Sequence, residues 1–290
     1  MLPKCLVFAL SFRRNLCIFV KDKGRITMEK KLSENLRIIA FSDPHGNLPE
    51  IKSGFDLMLI GGDISPAHDH FHLYQIDWFE KNFIPWVNSL PFNDEDSKVV
   101  MIWGNHDYIG EYTNRVWMKK MSKLTDKHLV ILNHDEYDFV YKTENGNETL
   151  KIFGTPYCTR FGMWAFMKGE EELDQVYSQI PEGIDILLSH DSPKMEKLAS
   201  ITQGMFQTDD VGNEILEKHI LRIKPKMLFT GHFHSGNHFF HKKDGIYMGN
   251  VSYVDEEYIP TNGILKIYFD RERKAVTAFT RVGVKERLFS

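Results

Sequence analysis

Five short stretches of the sequence carry polar residues suited to metal chemistry, and each follows an apolar run. The residues are Asp43, His45, Asp63, Asn105, His106, His190, His232 and His234. Carboxylate, amide and imidazole groups together suit Mn²⁺, Fe or Zn²⁺, and the lack of a neighbouring cysteine argues against a structural thiolate site. The set exceeds the needs of one tetrahedral ion, so two ions sharing a carboxylate fit better, an arrangement that activates water for attack on phosphorus.

The apolar runs before these residues have the length and composition of buried β-strands. They and two further runs read LRIIAF, FDLMLI, KVVMIW, HLVIL, IDILLS, KMLFT and GILKIYF. In open α/β sheets, ligands gather outside the carboxyl ends of the strands, so the polar stretches are expected to converge on one pocket. Glycines at 61, 62, 104 and 231 permit sharp turns or close approach there.

Apolar residues at helical spacing predict helices over 71–87, 117–124, 173–180 and 211–223. The first is expected to kink near Pro85, and the last to be capped by Asp209 or Asp210 and stopped by Pro225. Asn145-Gly146 lies between two alternating runs and predicts a β-hairpin. Strands that alternate with helices early and dominate late predict an α/β sandwich with a mixed sheet.

Composition and charge argue against a nucleic-acid-binding protein and against a disulfide-stabilised one. The 290 residues are 42% hydrophobic with a net charge of −4, so no overall positive field favours a stable nucleic-acid complex. Cys5, Cys17 and Cys158 are few, scattered and odd in number, which argues against a disulfide framework and suits a reducing compartment.

The N-terminal stretches CLVFAL and NLCIFV are separated by Arg13 and Arg14, and neither approaches the length of about 20 residues that spans a membrane. A signal peptide or anchor is the disfavoured alternative, because no small-residue cleavage site follows. We expect a cytoplasmic protein without membrane association, with residues 1–32 as a loosely attached extension and 33–290 as one domain. Met28 is an alternative start, so the sequence leaves open whether 1–27 belong to the native protein.

The order of the polar motifs along the chain resembles that of the calcineurin-like metallophosphoesterase superfamily. The motifs are D-x-H, G-G-D, G-N-H-D, a strand-end His and G-H-x-H. Further stretches resemble those of a smaller group within that superfamily. They are FGTPY with MWAF, VGNEILEKHILRIKPKMLFTGHFHSG and NVSYVDEEYIPTNG. That group comprises the metallophosphoesterase-domain-containing proteins, related to the class III cyclic-nucleotide phosphodiesterases. The resemblance covers nearly everything after residue 36 and implies a four-layer αββα sandwich with two mixed β-sheets.

The resemblance also implies two metal sites that share one carboxylate. The first would use Asp43, His45 and His234, and Asp63 would bridge to the second. The ligands that complete the second site would be Asn105, His190 and His232. Two divalent ions are expected, Mn²⁺ first, with Fe, Zn²⁺, Ni²⁺ or Mg²⁺ as alternatives.

By the same resemblance, His106 would be the catalytic residue that faces the phosphate and protonates or stabilises the leaving oxygen. A hydroxide between the two ions would be the nucleophile for in-line attack. The last motif keeps both histidines, which favours an active enzyme. The stretch GGDISPAHD lacks the G-D-x-x-D-x-G pattern of protein phosphatases, which argues against that activity and leaves open what orients His106.

The function that the resemblance implies is hydrolysis of small phosphodiesters such as cyclic nucleotides. The alternatives are a phosphomonoesterase and a metal- or nucleotide-binding module with little catalysis. A nuclease is disfavoured by the acidic charge balance. The expected partner is a small phosphate ester, and the oligomeric state is not readable.

Candidate substrate contacts are Arg160, Trp164 and Asn250. The first two lie in TPYCTRFGMWAFM, an aromatic stretch that would stack on a base or instead pack on itself as a surface loop. His68 and His72 have the spacing of a metal pair, but a polar helix start is the favoured interpretation. For Asp107, support of His106 and a solvated loop both stay open.

Overall fold

The computed structural model describes residues 34–113, 115–203 and 206–284, together with the backbone of three strands before them. Those strands, β1 (Leu6–Phe12), β2 (Asn15–Asp22) and β3 (Arg25–Lys30), pair in order as an antiparallel sheet. The other residues of the expected extension lie outside the described part of the chain. Loose attachment of 1–32 and the domain bounds 33–290 therefore stay predictions.

One large sheet carries the first three polar stretches. Its strands are β4 (Asn35–Phe41), β5 (Leu57–Ile60), β6 (Lys98–Ile102), β7 (Leu129–Leu132), β18 (Ile264–Asp270) and β19 (Ala275–Val282). Strands β4 to β7 are parallel neighbours, and β18 and β19 continue the sheet beyond β4 in antiparallel pairing. The parallel strands therefore all deliver their carboxyl ends to one edge.

A second large sheet carries the other two stretches. Its strands are β8 (Asp135–Thr143), β9 (Gly146–Thr155), β12 (Ile186–Ser189), β15 (Met227–Thr230), β16 (His241–Lys243) and β17 (Ile246–Asn250). The order is β16-β17-β15-β12-β9-β8, with parallel pairing except at the two edges. Short ribbons pair β10 (Cys158–Thr159) with β11 (Met167–Lys168), and β13 (Ser200–Gln203) with β14 (Phe206–Asp210).

Helices cover the outer faces of both sheets. They are α1 (His72–Trp78), α2 (Ile84–Asn88), α3 (Ile109–Tyr112), α4 (Arg115–Leu124), α5 (Glu170–Ser178) and α6 (Glu214–Ile223). The first helices pack on the first sheet through residues such as Phe79 and Met121, and α5 and α6 pack on the second through Leu173 and Leu216. None of the helices in the described residues has the length and apolarity needed to cross a bilayer.

The core lies in three apolar layers that follow the alternation of the strands. In β4, Ile38 and Ala40 face the second sheet, while Ile39 and Phe41 face the helices. Burial of each such large side chain contributes about 1.5–3 kcal/mol, so the register of β4 is strongly specified. The predicted four-layer αββα sandwich with two mixed sheets is confirmed.

Three local predictions need adjustment. The hairpin is present, but Thr143 pairs with Gly146, so the turn residues are Glu144 and Asn145. The N-cap of α6 is Asn213, whose Oδ1 accepts from two backbone amides, rather than Asp209 or Asp210, because the chain is still in β14 at residue 210. Where a kink was expected, the chain forms a π-helical turn over Phe79–Phe83, which ends two residues before Pro85. Proline has no N–H to donate to the preceding turn.

Candidate metal centre and active site

The strand ends of the two sheets meet at one edge of the sandwich, and the predicted ligands meet with them. The chain turns after β4 at Asp43, after β5 at Asp63, after β6 at Asn105, after β12 at His190 and after β15 at His232. All of these side chains are buried or half-buried. The convergence predicted from the sequence is therefore present in the fold.

The side chains form two groups whose ligand atoms lie within 4.8 Å of one another, Asp43 with His45 and His234, and Asp63 with His190 and His232. Asp63 lies between the groups, since its Oδ2 is 3.6 Å from Nε2 of His45 and 3.5 Å from Nε2 of His190. Asn105 joins the second group, with Oδ1 2.9 Å from Nε2 of His190. The grouping matches the ligand sets that the resemblance implied.

Hydrogen bonds to carbonyl oxygens fix which nitrogen of two histidines faces the site. Nδ1 of His234 donates to the Asp255 carbonyl at 3.0 Å, and Nδ1 of His190 donates to the Gly61 carbonyl at 2.9 Å. A carbonyl can only accept, so Nδ1 carries the proton in each neutral ring and Nε2 presents a lone pair. Histidines that bind metals are commonly oriented in this way.

The arrangement of these lone pairs fits cations. Nε2 of His234 faces Nε2 of His45 at 3.3 Å, and Nε2 of His190 faces Oδ1 of Asn105. The Asn105 Nδ2 is buried without a hydrogen-bond partner. Electron-pair donors that converge beside two buried carboxylates are costly unless positive charge lies between them. The residues present therefore suit one divalent ion in each group.

Four of these residues hold a strained backbone. Asp43, His45, Asp63 and His232 have φ angles of 52°, 43°, 51° and 68°, in the left-handed region that residues other than glycine rarely occupy. Such strain persists where the surroundings enforce it, commonly at functional sites. Gly104 allows the close packing that this needs, because a Cβ there would collide with the backbone nitrogen and Oδ1 of Asp63.

Buried hydrogen bonds hold the ligand loops in register. Asp43 accepts from the His232 backbone amide at 3.0 Å and from the Ser252 hydroxyl at 2.8 Å, which ties the two sheets together at the site. Asp107 is buried and accepts from the backbone amides of Ile64, Ser65 and Gly104. Burial rules out the solvated loop for Asp107, but these hydrogen bonds go to the turns beside Asp63 and Asn105 rather than to the His106 side chain.

His106 lies beside the two groups and is oriented from three sides. Its backbone N–H donates to Oδ1 of Asp63 at 2.7 Å, its Nδ1 is 2.8 Å from Nε2 of His70, and its ring lies 4.5 Å from the Trp164 ring. Burial lowers the pKa of His106 to about 4, so the ring is neutral near neutral pH. With Nδ1 turned to His70, Nε2 is the nitrogen that remains for a substrate.

His70 is the orienting group that the sequence left open, and it was missed. In the stretch AHDHFH, the spacing of His68 and His72 is that of a metal pair, and it gives no reason to single out His70 between them. His68 instead bonds to the Tyr74 hydroxyl at 2.9 Å, and His72 stacks on Tyr112 at 4.2 Å, in keeping with a polar helix start. The usable signal was the middle histidine of the stretch, His70.

The three predicted substrate contacts have different locations. Trp164 lies at the site, but the Arg160 guanidinium contacts Glu172 Oε2 at 3.3 Å and the Met167 carbonyl at 3.4 Å. The structure does not place Asn250 at the pocket edge. Its side chain is buried and its Nδ2 donates to carbonyls including Leu198 and Phe233, so it supports the loop that carries His232 and His234.

Arg281 of β19 supports the same loops from the opposite side. Its guanidinium donates to the carbonyls of Asn262, Gly263, His238 and Asn250, at 2.9 to 3.4 Å. Burial lowers its pKa to about 10, so the side chain stays charged at physiological pH. One cation thus connects the end of β17, the loop after the last histidine motif and the loop before β18.

Metal affinity is expected to fall in acid. Burial raises the pKa of Asp63 to about 6. Burial alone would lower the pKa of His190, but the negative charges of Asp63 and Asp43 have the larger combined effect and raise it. A bound cation must displace these protons, so metal binding weakens as the pH falls through the raised pKa of His190 and then through that of Asp63. Displacing the Asp63 proton alone makes the Kd for Mn²⁺ at pH 5 about tenfold higher than at pH 7. Calorimetry across this range measures it, and a constant Kd would contradict it.

A model of the calcineurin-like phosphoesterase family matches residues 36–236. The probable rhamnogalacturonate lyase C of Emericella nidulans is 25% identical over 222 residues, which are 75% of this chain but 19% of that protein. This chain thus matches only about a fifth of that relative's length.

Two other relatives are matched over more of their length. Metallophosphoesterase domain-containing protein 1 of Homo sapiens is 24% identical over 239 residues, 78% of this chain and 68% of that protein. A UPF0046 protein of Caenorhabditis elegans is 25% identical over 225 residues, 71% of this chain and 72% of that protein. The resemblance to the metallophosphoesterase-domain-containing group is confirmed. Since the matched range also contains both ligand groups and His106, the chain belongs to the calcineurin-like phosphoesterase family, a family of metal-dependent phosphoesterases.

Proposed function

We propose that this protein hydrolyses small phosphodiesters, with cyclic nucleotides among the candidate substrates, and uses two divalent cations, Mn²⁺ first among them. The observation that carries the proposal is the pair of ligand groups that meet at Asp63, with the His106 ring beside them. The family of the chain and its similarity to human metallophosphoesterase domain-containing protein 1 support a phosphoester substrate.

The residues divide the work as follows. Asp43, His45 and His234 would hold one cation and Asn105, His190 and His232 the other, with Asp63 shared. When bound, the cations supply Lewis acidity and a water of lowered pKa. His106 would donate a hydrogen bond from Nε2 to the leaving oxygen and stabilise the charge that develops there, because its Nδ1 faces His70.

A diester is favoured over a monoester by the charge around the site. Among the described residues, no lysine or arginine forms an ion pair or hydrogen bond with any of the ligands or with His106. Two divalent cations would bring four positive charges, and the Asp43 and Asp63 carboxylates offset two of them. A diester adds one negative charge, whereas a monoester adds up to two and would gain more from a lysine or arginine beside the site. The proposal includes a cytoplasmic location, a small phosphate ester as partner and no stable nucleic-acid complex.

The test compares bis-p-nitrophenyl phosphate with p-nitrophenyl phosphate, with Mn²⁺ supplied and then removed by a chelator. We expect faster hydrolysis of the diester, loss of the rate on chelation and its recovery when Mn²⁺ is restored. A faster monoester rate would point to a phosphatase. Metal binding without hydrolysis of either compound would leave a binding module as the better description.

A further inference from the structure

Three aromatic rings pack against the site, each against a different histidine. Phe161 lies 5.4 Å from the His232 ring, Trp164 lies 4.5 Å from His106, and Tyr258 lies 4.7 Å from His45. We call these three residues the aromatic collar. Its members come from two separate loops, one between β10 and β11 and one between β17 and β18.

The collar exposes apolar surface that packing does not explain. Phe161 is 64% exposed and Tyr258 is 41% exposed, and they are accompanied by Met163 at 93% and Ile259 at 51%. Scattered apolar residues are normal on a surface, but a group of them around a buried polar site is typical of a ligand-binding opening. The rings present flat faces and edges to whatever enters.

Hydrogen bonds fix the collar to the ligand loops. Ala165 donates its backbone N–H to the Asn105 carbonyl at 3.1 Å, next to Trp164 in the chain, and the Tyr108 hydroxyl donates to the Met163 carbonyl at 3.0 Å. On the other side, the Asp255 carbonyl accepts from both the Tyr258 backbone and Nδ1 of His234. The backbone segments that carry Trp164 and Tyr258 are therefore tied to the loops of Asn105 and His234.

The backbone of Tyr258 is strained in a way that places its ring over His45. Its φ is 60°, a left-handed value that is unusual for a bulky aromatic residue. Asn47, which follows His45 by two residues, donates from Nδ2 to the Tyr258 carbonyl at 3.3 Å and helps to hold this conformation. Strain of this kind is retained where the position of the side chain matters.

The charges beside the collar limit what it can bind. Arg160 pairs with Glu172, and Lys168 lies over the Tyr157 ring, so the two cations of that loop are engaged elsewhere. On the other loop, Glu256 accepts from the Ser235 hydroxyl and adds negative charge. These charges disfavour an anionic group at the collar, and flat aromatic rings favour a flat partner.

We propose that the aromatic collar is a binding subsite for an uncharged planar aromatic ester group, such as a nucleobase-bearing or aryl group, on the substrate. The inference rests on the proposed phosphodiesterase function and adds the class of ester. Stacking on an aromatic side chain changes binding by about 1–3 kcal/mol, which is about 5- to 150-fold.

The test uses two diesters with one leaving group, phenyl p-nitrophenyl phosphate and methyl p-nitrophenyl phosphate. Both are monoanions that release p-nitrophenolate, so they differ only in the group that stays on phosphorus. After normalisation to their hydrolysis by hydroxide, we expect kcat/KM with the Mn²⁺-loaded protein to favour the phenyl ester by about tenfold. Binding of diphenylphosphinate and dimethylphosphinate, measured by calorimetry, gives a second readout that needs no turnover.

The variants are Phe161→Ala, Trp164→Ala and Tyr258→Asn, the last chosen because asparagine tolerates a left-handed backbone. Each should lower kcat/KM for the phenyl ester by about 5- to 100-fold more than it lowers kcat/KM for the methyl ester. A loss common to both esters reports the packing of these rings on His232, His106 and His45, and the difference between the esters reports the subsite. Phe239→Ala is the matched control, because Phe239 is 68% exposed and stacks on His241 rather than on a ligand. It should change neither rate.

The outcomes separate the two proposals. Equal rates on both esters, with equal binding of both phosphinates, would overturn the collar and leave the phosphodiesterase standing. Absence of a chelator-sensitive rate on either ester would overturn the phosphodiesterase, while tighter binding of diphenylphosphinate would still support the collar. Equal losses on both esters in the three variants would assign these residues to general support of the site and would also contradict the proposal.

Discussion

Replacing Asp63 by Asn should remove most of the bound metal and lower the rate on bis-p-nitrophenyl phosphate by at least about 10³-fold. Asp63 is the carboxylate that the two ligand groups share, with Oδ2 within 3.6 Å of both His45 and His190. The amide has nearly the same shape but carries no charge, so two cations would lose the anion between them. Metal per chain, measured by mass spectrometry, and the rate are followed together.

Asp77→Asn is the matched control for this substitution. Asp77 lies on the surface of α1 and pairs with Lys81 at 2.7 Å, so the same change in charge should alter neither metal content nor rate. If Asp63→Asn kept two metal ions per chain and a rate within a few fold of the wild type, Asp63 would not be a shared ligand.

His106→Ala should keep the metal and lower turnover by about 10²–10³-fold, the usual effect of removing a hydrogen-bond donor that stabilises a developing negative charge. The loss should be larger for a phenolate leaving group than for p-nitrophenolate, because the better leaving group needs less help from a proton. His70→Ala should show the same dependence on the leaving group with a smaller loss, about 10- to 100-fold. Without His70 the His106 ring is no longer held in one orientation, but it can still donate a hydrogen bond to the leaving oxygen part of the time. Steady-state rates on paired esters measure both.

Two further variants test whether His70 acts through His106. His70→Gln keeps a side chain able to hydrogen-bond and should recover part of the rate. His72→Ala removes a neighbouring histidine that stacks on Tyr112 and should have no effect. Unchanged turnover in His106→Ala would contradict the role assigned to His106. If the loss in His70→Ala were the same for both leaving groups, the 2.8 Å contact between His70 and His106 would not be what positions His106.

The ligands were readable from the sequence because their positions follow from local rules. Buried strands end at predictable points, and parallel strands place those ends together, so Asp43, Asp63 and Asn105 had to be neighbours. The alternation in β4 likewise fixed which residues face each layer. These features need no knowledge of how distant segments pack.

The features that the sequence did not reveal depend on distant packing. His70 reaches His106 across 36 residues of sequence, and no periodicity connects them. Asn250 follows a strand like the ligands do, but its side chain turns under a loop whose carbonyls need donors. The cap of α6 moved from Asp210 to Asn213 because an unforeseen short strand took up residue 210.

The position of β18 also determines when the site is completed during synthesis of the chain. Strand β4, which leads directly to Asp43, pairs on one side with β5 and on the other with β18, whose first residue is Ile264. A nascent chain that has reached His234 therefore has every proposed ligand but lacks β18, the Ser252 hydroxyl that holds Asp43, and Arg281. Long-range pairing of this kind forms late, so the site closes only when the last strands leave the ribosome. Until then the cell holds a chain with all of its metal-binding groups but without the scaffold that aligns them.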